Sequence, residues 1–240
     1  MKYMGSKNRI AKHILPIMLA DRKPEQWWVE PFVGGANIID KVKGNRMGGD
    51  SNKYLIALLK ELQTQVPFNP PHIGEKEYND IKKNKEQYPD WLVGYAGFNL
   101  SFAAKFFGGY RRDKAGLRNY ENEAHQNRLA RQNLLAQQNL LVGVNFVCSD
   151  YRDIALPSNS IIYCDPPYKG TTKYKDGINH EDFWQWCREK AIQGHIIYVS
   201  EYIAPDDFEC VWQKDVGISV SKDAGNKRAT EKLFKCRYRK

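Results

Sequence analysis

Four largely apolar residues, Ile161-Ile162-Tyr163-Cys164, run straight into Asp165-Pro166-Pro167-Tyr168. The apolar run has the length and composition of a buried strand. The paired prolines impose an extended, rigid turn behind it, because each locks its own φ and pushes the preceding residue out of helical space. A carboxylate and an aromatic ring are thereby fixed at the carboxyl end of a strand, where open α/β sheets place their ligands. The plainer alternative is a stiff turn capped by an aspartate.

Similar units recur along the chain. Trp27-Trp28-Val29 predicts a short buried strand, followed by Glu30-Pro31-Phe32-Val33-Gly34-Gly35 and a helix from about Ala36. Arg46-Met47-Gly48-Gly49 predicts a second strand leading to Asp50, beyond which Leu55, Ile56, Leu58, Leu59 and Leu62 make a helical face. Further strands are expected at 141–147 and 196–200, with a helix around 183–191. Segments 210–220 and 232–238 are expected to pair as antiparallel strands. Strand–turn–helix repeated in this way predicts parallel β/α layering. Between residues 63 and 139 the texture changes. Pro67, Pro70 and Pro71 precede a lysine-rich stretch, an aromatic–glycine segment at 97–110, and a Gln/Asn/Arg-rich helical stretch ending near Gln138. The chain therefore divides into 1–62, an inserted and mainly helical subdomain at 63–139, and 140–240.

Composition narrows the function classes. A hydrophobic fraction of 42% over 240 residues suffices for a sizeable core, and a formal charge of +9 favours polyanionic partners. Five cysteines form no Cys-x-x-Cys pair and five histidines no close pair, so neither a disulfide framework nor a zinc site is predicted. No metal is expected, and a reducing cytoplasm is the expected location. No apolar run approaches membrane-spanning length, and the first residues lack the apolar stretch of a signal peptide.

The residue types of the 165–168 turn suit one kind of chemistry. An exocyclic amine on a nucleobase is a poor nucleophile because its lone pair is delocalised into the ring. A fixed carboxylate (Asp165) and a rigid backbone carbonyl (Pro166) can accept both amine hydrogens and draw the nitrogen toward a tetrahedral geometry. Pro167 stiffens the turn, and Tyr168 would stack on a base taken out of the helix. The Gly34-Gly35 pair lets backbone approach a ligand closely. It lacks both the Gly-x-Gly-x-x-Gly spacing of a dinucleotide site and the Lys-Ser/Thr of a phosphate loop. Asp50, at the end of the next strand, stands where an acidic residue can grip ribose hydroxyls, or where it would simply cap the following helix.

Taken in order, Lys2-Tyr3-Met4-Gly5-Ser6-Lys7, the Glu30 to Gly35 loop, Asp50, Ser149-Asp150-Tyr151, Asp165 to Tyr168, Ser200-Glu201-Tyr202 and Ala229-Thr230-Glu231-Lys232-Leu233-Phe234 resemble the Dam-type family of DNA adenine methyltransferases, particularly its compact prophage-like members. The resemblance runs nearly end to end. It implies a Rossmann-like, seven-stranded α/β fold that binds S-adenosylmethionine at the strand carboxyl ends and releases S-adenosylhomocysteine. Its expected partner is double-stranded DNA, in a restriction-modification or phage-related setting. Carried over by position, Tyr3 and Lys7 close the cofactor pocket; Pro31, Phe32, Gly34 and Gly35 line it; and Asp50 binds the ribose. Asp150 and Tyr151 lie beside the cofactor adenine, and Asp165 faces both cofactor and target base. Read without the family, the alternative for Lys7 is a solvated N-terminal lysine. The rivals are an RNA or protein amino-methyltransferase, or a non-catalytic DNA-binding protein on the same scaffold.

In the insert, Lys105, Arg111, Arg112, Lys114 and Arg118 interleave with Phe102, Phe106, Phe107 and Tyr110. Phosphates need the charges, while aromatics can enter base stacks. Phe102 and Phe106 are expected in a small aromatic core, with Arg111 and Arg112 contacting DNA. Arg128 and Arg131, three apart on one predicted helix, would follow a phosphate backbone or lie on a solvated face. The Phe-Asn-Val-Pro type of segment associated with GATC recognition is absent; 101–110 instead matches a Ser-Phe…Lys-Phe-Phe-Gly-Gly-Tyr pattern of prophage relatives.

Overall fold

The computed structural model describes residues 1–64, 66–112, 120–168, 178–217 and 228–237. Seven strands form one sheet: β1 (Trp28–Glu30), β2 (Arg46–Asp50), β3 (Val144–Cys148), β4 (Ile161–Cys164), β5 (Ile196–Ser200), β6 (Phe208–Gly217) and β7 (Arg228–Cys236), in the order β3-β2-β1-β4-β5-β7-β6. The first five run parallel, while β7 is antiparallel to both β5 and β6. This is the seven-stranded α/β architecture expected from the sequence, including its closing antiparallel pair.

Alternation along the strands sends side chains into two apolar layers. Trp28, Ile161, Tyr163, Tyr198 and Leu233 face one; Val29, Ile162, Cys164, Ile197, Val199 and Phe234 face the other. Helices α1 (Ala11–Leu19) and α2 (Lys53–Thr64) pack on the first, and α6 (His180–Ile192) on the second. Helix α6 starts where the Asn179 side chain accepts the Glu181 and Asp182 N–H groups, with both acids suited to the positive helix end. It buries Phe183, Trp184, Trp186 and Cys187; sealing each large ring from water contributes about 1.5–3 kcal/mol.

The segment between α2 and β3 holds α3 (Glu75–Lys83), α4 (Asp90–Gly94), a π-turn over Tyr95–Asn99, and α5 (Tyr120–Gln138). Its buried Phe68, Ile73, Tyr78, Tyr95 and Phe98 share one apolar cluster with α1 and α2. This segment thus extends the core beneath the sheet. Among the described residues no helix is long and apolar enough to cross a membrane.

One expected element is absent. No α-helix follows the Gly34-Gly35 loop, where a single 3₁₀ turn, Ile39–Lys41, stands instead. Ala36 adopts φ +55° and donates its N–H to Val33 O at 2.9 Å, which turns the chain too sharply for a helix to start there.

Candidate active site

Parallel strands deliver their following loops to one edge, so 31–36, 50–52, 149–151, 165–168 and 201–202 gather at the carboxyl ends of β1 to β5. Val33 N–H donates to Gly49 O at 2.8 Å, pinning the glycine loop across β2. Gly34 then turns back at φ +48° and gives its N–H to Asp50 Oδ2 at 3.3 Å. A Cβ at Gly34 would meet the Tyr3 ring at 2.7 Å, and one at Gly35 would meet Tyr3 Cβ at 2.6 Å. Bare backbone is therefore required for Tyr3 to lie on the loop. From behind, buried Gln137 at the end of α5 donates to Gly35 O (3.1 Å) and Ala36 O (3.0 Å). Phe98 in the π-turn packs on Tyr3 with ring centroids 5.6 Å apart.

Asp50 does not cap α2; Asn52 does, accepting the Tyr54 and Leu55 N–H groups at 3.1 Å each. The Asp50 carboxylate instead takes Asn52 N–H (2.9 Å) and Gly34 N–H. Burial outweighs those two bonds and pushes its pKa up from 3.8 to about 6. A carboxylate so placed, at the end of β2 beside bare glycine backbone, retains acceptor capacity for a diol. The site residues therefore fit a nucleoside-bearing cofactor.

At the end of β4 the Asp165 carboxylate meets the buried Lys7 ammonium at 2.9 Å. Lys7 is no solvated lysine: it also donates to Gly5 O (3.1 Å), lies 3.9 Å from Glu231 Oε2, and sits 4.5 Å from the Tyr168 ring centre. Burial alone would lower its pKa, but Asp165 and Glu231 hold it above the usual lysine value. Asp165 is raised by burial and by Glu231, against the pull of Lys7. The Tyr168 hydroxyl donates to Glu231 Oε2 at 2.9 Å, and its ring meets Tyr202 edge-on at 4.6 Å. Beneath them Tyr163 and Ser200 share a buried hydrogen bond of 2.8 Å between β4 and β5. Glu30 is buried near this centre, takes the Trp28 indole N–H at 2.7 Å, and is held well above the carboxylate range by burial.

Other sequence-expected residues have more divided placements. Pro31 is buried, and Phe32 packs on Tyr151 and Phe183 at 5.1 and 5.8 Å. Tyr151 is buried in that aromatic layer, whereas the Asp150 carboxylate faces its own loop, binding the Arg152 guanidinium at 2.8 and 3.1 Å. That partner holds Asp150 below the usual carboxylate value. Lys105 is exposed and Arg111 half-buried, with its backbone N–H on Leu100 O at 2.8 Å. Arg112 is tied to Glu75 at the start of α3. Lys114 and Arg118 lie outside the described residues. Arg128 and Arg131 are exposed on α5.

Phe102 corrects the expectation of an aromatic core: it is 64% exposed, while Phe106 is packed against the core. The cause is local. Phe102 N–H bonds Gly109 O at 2.8 Å, Ser101 bridges Tyr110, and the left-handed Ala103 and Ala104 turn the ring outward.

Sequence reading assigned no role to Glu231, Tyr202 or Gln137. The first two lie inside the matched segments 229–234 and 200–202, which was the available signal. Gln137 carried none, being one glutamine in a glutamine-rich helix.

Residues 3–190 match the family model of D12 class N6 adenine-specific DNA methyltransferases. The chain is 27% identical over 218 residues to the type II methyltransferase M.FokI of Planomicrobium okeanokoites, covering 80% of this chain and 32% of that protein. It is 25% identical over 221 residues to the modification methylase StsI of Streptococcus sanguinis, covering 84% and 33%. The chain thus spans about a third of the length of these curated relatives. Among solved structures, the rRNA methyltransferase AviRa from Streptomyces viridochromogenes superposes with a TM-score of 0.43 at 13% identity, covering 98% of this chain and 87% of that one. TrmN from Thermus thermophilus gives 0.39 at 12% identity, covering 95% and 48%.

Proposed function

Because the chain belongs to the D12 class N6 adenine-specific DNA methyltransferase family, we propose that it methylates the exocyclic amine of an adenine flipped out of duplex DNA, at a specific sequence, using S-adenosylmethionine. The observation that carries the proposal is the buried Lys7–Asp165 pair in the Asp-Pro-Pro-Tyr turn, on the same sheet edge as the Gly34–Asp50 loop.

When bound, S-adenosylmethionine supplies an electrophilic methyl group on a cationic sulfur. Tyr3, Phe32, Gly34 and Gly35 would line its pocket, and Asp50 would accept its ribose hydroxyls. Tyr151 and Asp150 would flank its adenine, Asp150 by a change of partner from Arg152. Asp165 and the Pro166 carbonyl accept the two hydrogens of the target amine, which localises its lone pair for attack. Holding that amine in line does most of the work. Lys7 opposes the rise that burial imposes on the Asp165 pKa and offsets its charge. Tyr168 stacks on the extruded base, where a ring face is worth about 1–3 kcal/mol.

DNA contact falls to the 97–112 loop. Phe102, outward on a hydrogen-bonded turn, is suited to enter a base stack, with Lys105 beside it for phosphate. Burial, and after it the nearby Arg111 charge, lowers the Lys2 pKa, a cation pair that a polyanion would relieve. Lys114 and Arg118, outside the described residues, add two further cations to the sequence that follows. Arg112 is committed to Glu75 and serves better to fix the loop than to read bases. Modified-base sequencing of DNA from a host expressing the chain tests the proposal. N6-methyladenine at one recurring sequence is expected; DNA identical to that of the control host would reject it.

A further inference from the structure

The catalytic turn is held from outside its own loop, by a residue with no place in the chemistry described so far. Glu231 reaches in from β7, at the antiparallel end of the sheet, and is largely buried, with 16% of its side chain exposed. One of its oxygens, Oε2, accepts the Tyr168 hydroxyl at 2.9 Å and lies 3.9 Å from Lys7 Nζ. Lys7 in turn sits over the Tyr168 ring and bonds Asp165. Two carboxylates therefore share one ammonium, and the stacking ring is anchored by its hydroxyl to the second carboxylate. From this closed arrangement we infer that Glu231 is a positioning residue for methyl transfer, orienting Tyr168 and dividing the Lys7 charge with Asp165.

The inference rests on the proposed methyltransferase activity, and its logic is geometric. A tyrosine that only stacks needs no hydroxyl partner, but a ring that fixes a flipped base in line with a methyl donor gains from a second point of attachment. Small errors of placement cost rate steeply at such centres. Charge works in the same direction. With Glu231 ionised, Lys7 neutralises Asp165 only in part, leaving that carboxylate a better acceptor for the amine hydrogens.

The groups facing Asp165 are Lys7 from the N-terminal segment, Glu231 from β7, Glu30 from β1, Tyr163 from β4, Tyr168 from its own turn and Tyr202 after β5. Among them, Glu231 raises both Asp165 and Lys7. Removing its charge while keeping its shape should therefore move both limbs of the pH–rate profile toward lower pH.

The test uses the full chain, S-adenosylmethionine and duplex DNA containing the site found by modified-base sequencing. Wild-type turnover comes first; if there is none, the function itself fails and Glu231 is not at issue. Given wild-type turnover, Glu231→Ala should lower kcat about tenfold or more, the loss of one good hydrogen bond used in the transition state, with KM for S-adenosylmethionine nearly unchanged. Glu231→Gln, which keeps the acceptor, should recover most of kcat and show the downward pH shift. Tyr168→Phe should lower kcat, and adding Glu231→Ala to it should cost much less than Glu231→Ala alone. Adenosylhomocysteine binding by each variant reports that the fold is intact, and the Gln variant stands alone if the Ala variant does not fold. Wild-type kcat in Glu231→Ala, an unshifted pH profile in Glu231→Gln, or strict additivity with Tyr168→Phe would overturn the inference.

Discussion

The sheet edge around Asp165 and the loop at 97–112 are built from the same kinds of residue, cations and aromatic rings, to opposite ends. At the sheet edge the cation is buried and surrounded by carboxylates: Lys7 holds Asp165, and Glu231 holds Tyr168. On the loop, Lys105 and Phe102 stand in solvent on a turn fixed by backbone hydrogen bonds. Buried charges cost desolvation and persist only with partners in place, so their geometry is set before any ligand arrives. Exposed charges keep their hydration and meet whatever polyanion approaches. The two regions should therefore fail differently when altered, the first in rate and the second in affinity.

The largest separation is expected from Asp165→Ala. Loss of an aligned acceptor at a preorganised centre should reduce turnover by about 10²–10³ or more while DNA affinity changes little. Stopped turnover with equal loss of DNA binding would merge the two regions. Next is Asp50→Ala, which should weaken adenosylhomocysteine binding by about 1.5–3 kcal/mol, measured by calorimetry.

Asp50 also predicts a pH dependence. Its ionised form accepts ribose hydroxyls, so affinity should be full above its raised value near 6 and fall as pH drops through it. Asp50→Asn should remove that dependence. Folding has the opposite sign. A carboxyl raised from 3.8 to about 6 contributes stability below the lower value and loses it as pH rises through the upper one.

Smaller effects belong to the loop. Phe102→Ala should cost about 1–3 kcal/mol in DNA affinity if the ring enters a stack, with adenosylhomocysteine affinity unchanged; equal DNA affinity in a gel-shift titration would remove the ring from the interface. Lys105→Ala should reduce the salt slope of DNA binding by about one. A slope equal to wild type would leave Lys105 a bystander.

How much of this was legible in the sequence follows from how local each signal is. β4 and its turn were legible because Ile161 to Tyr168 carry both the strand and its stop. β1 and β2, the antiparallel pair and α5 were legible for similar reasons. The missing helix after Gly35 was not, because nothing in Ala36 itself announces a left-handed residue. Lys7 was readable as a solvated lysine because its partners, Asp165 and Glu231, are distant in the chain. Phe102 and Phe106 look alike in sequence; only the Ser101–Tyr110 bridge and the Gly109 carbonyl decide which one faces water. The ion pair between Arg112 and Glu75 was not legible, because Glu75 begins another helix.

Methyl transfer by the Asp165 centre to adenine in DNA has a direct chemical readout. The purified chain is incubated with duplex DNA and isotopically labelled S-adenosylmethionine, the DNA is digested, and labelled nucleosides are identified by mass spectrometry. Label in N6-methyldeoxyadenosine with the wild type, and none with an Asp165→Ala variant that still binds adenosylhomocysteine, is the predicted result. Label in cytosine, label only when RNA or protein replaces the DNA, or undiminished labelling by Asp165→Ala would contradict it.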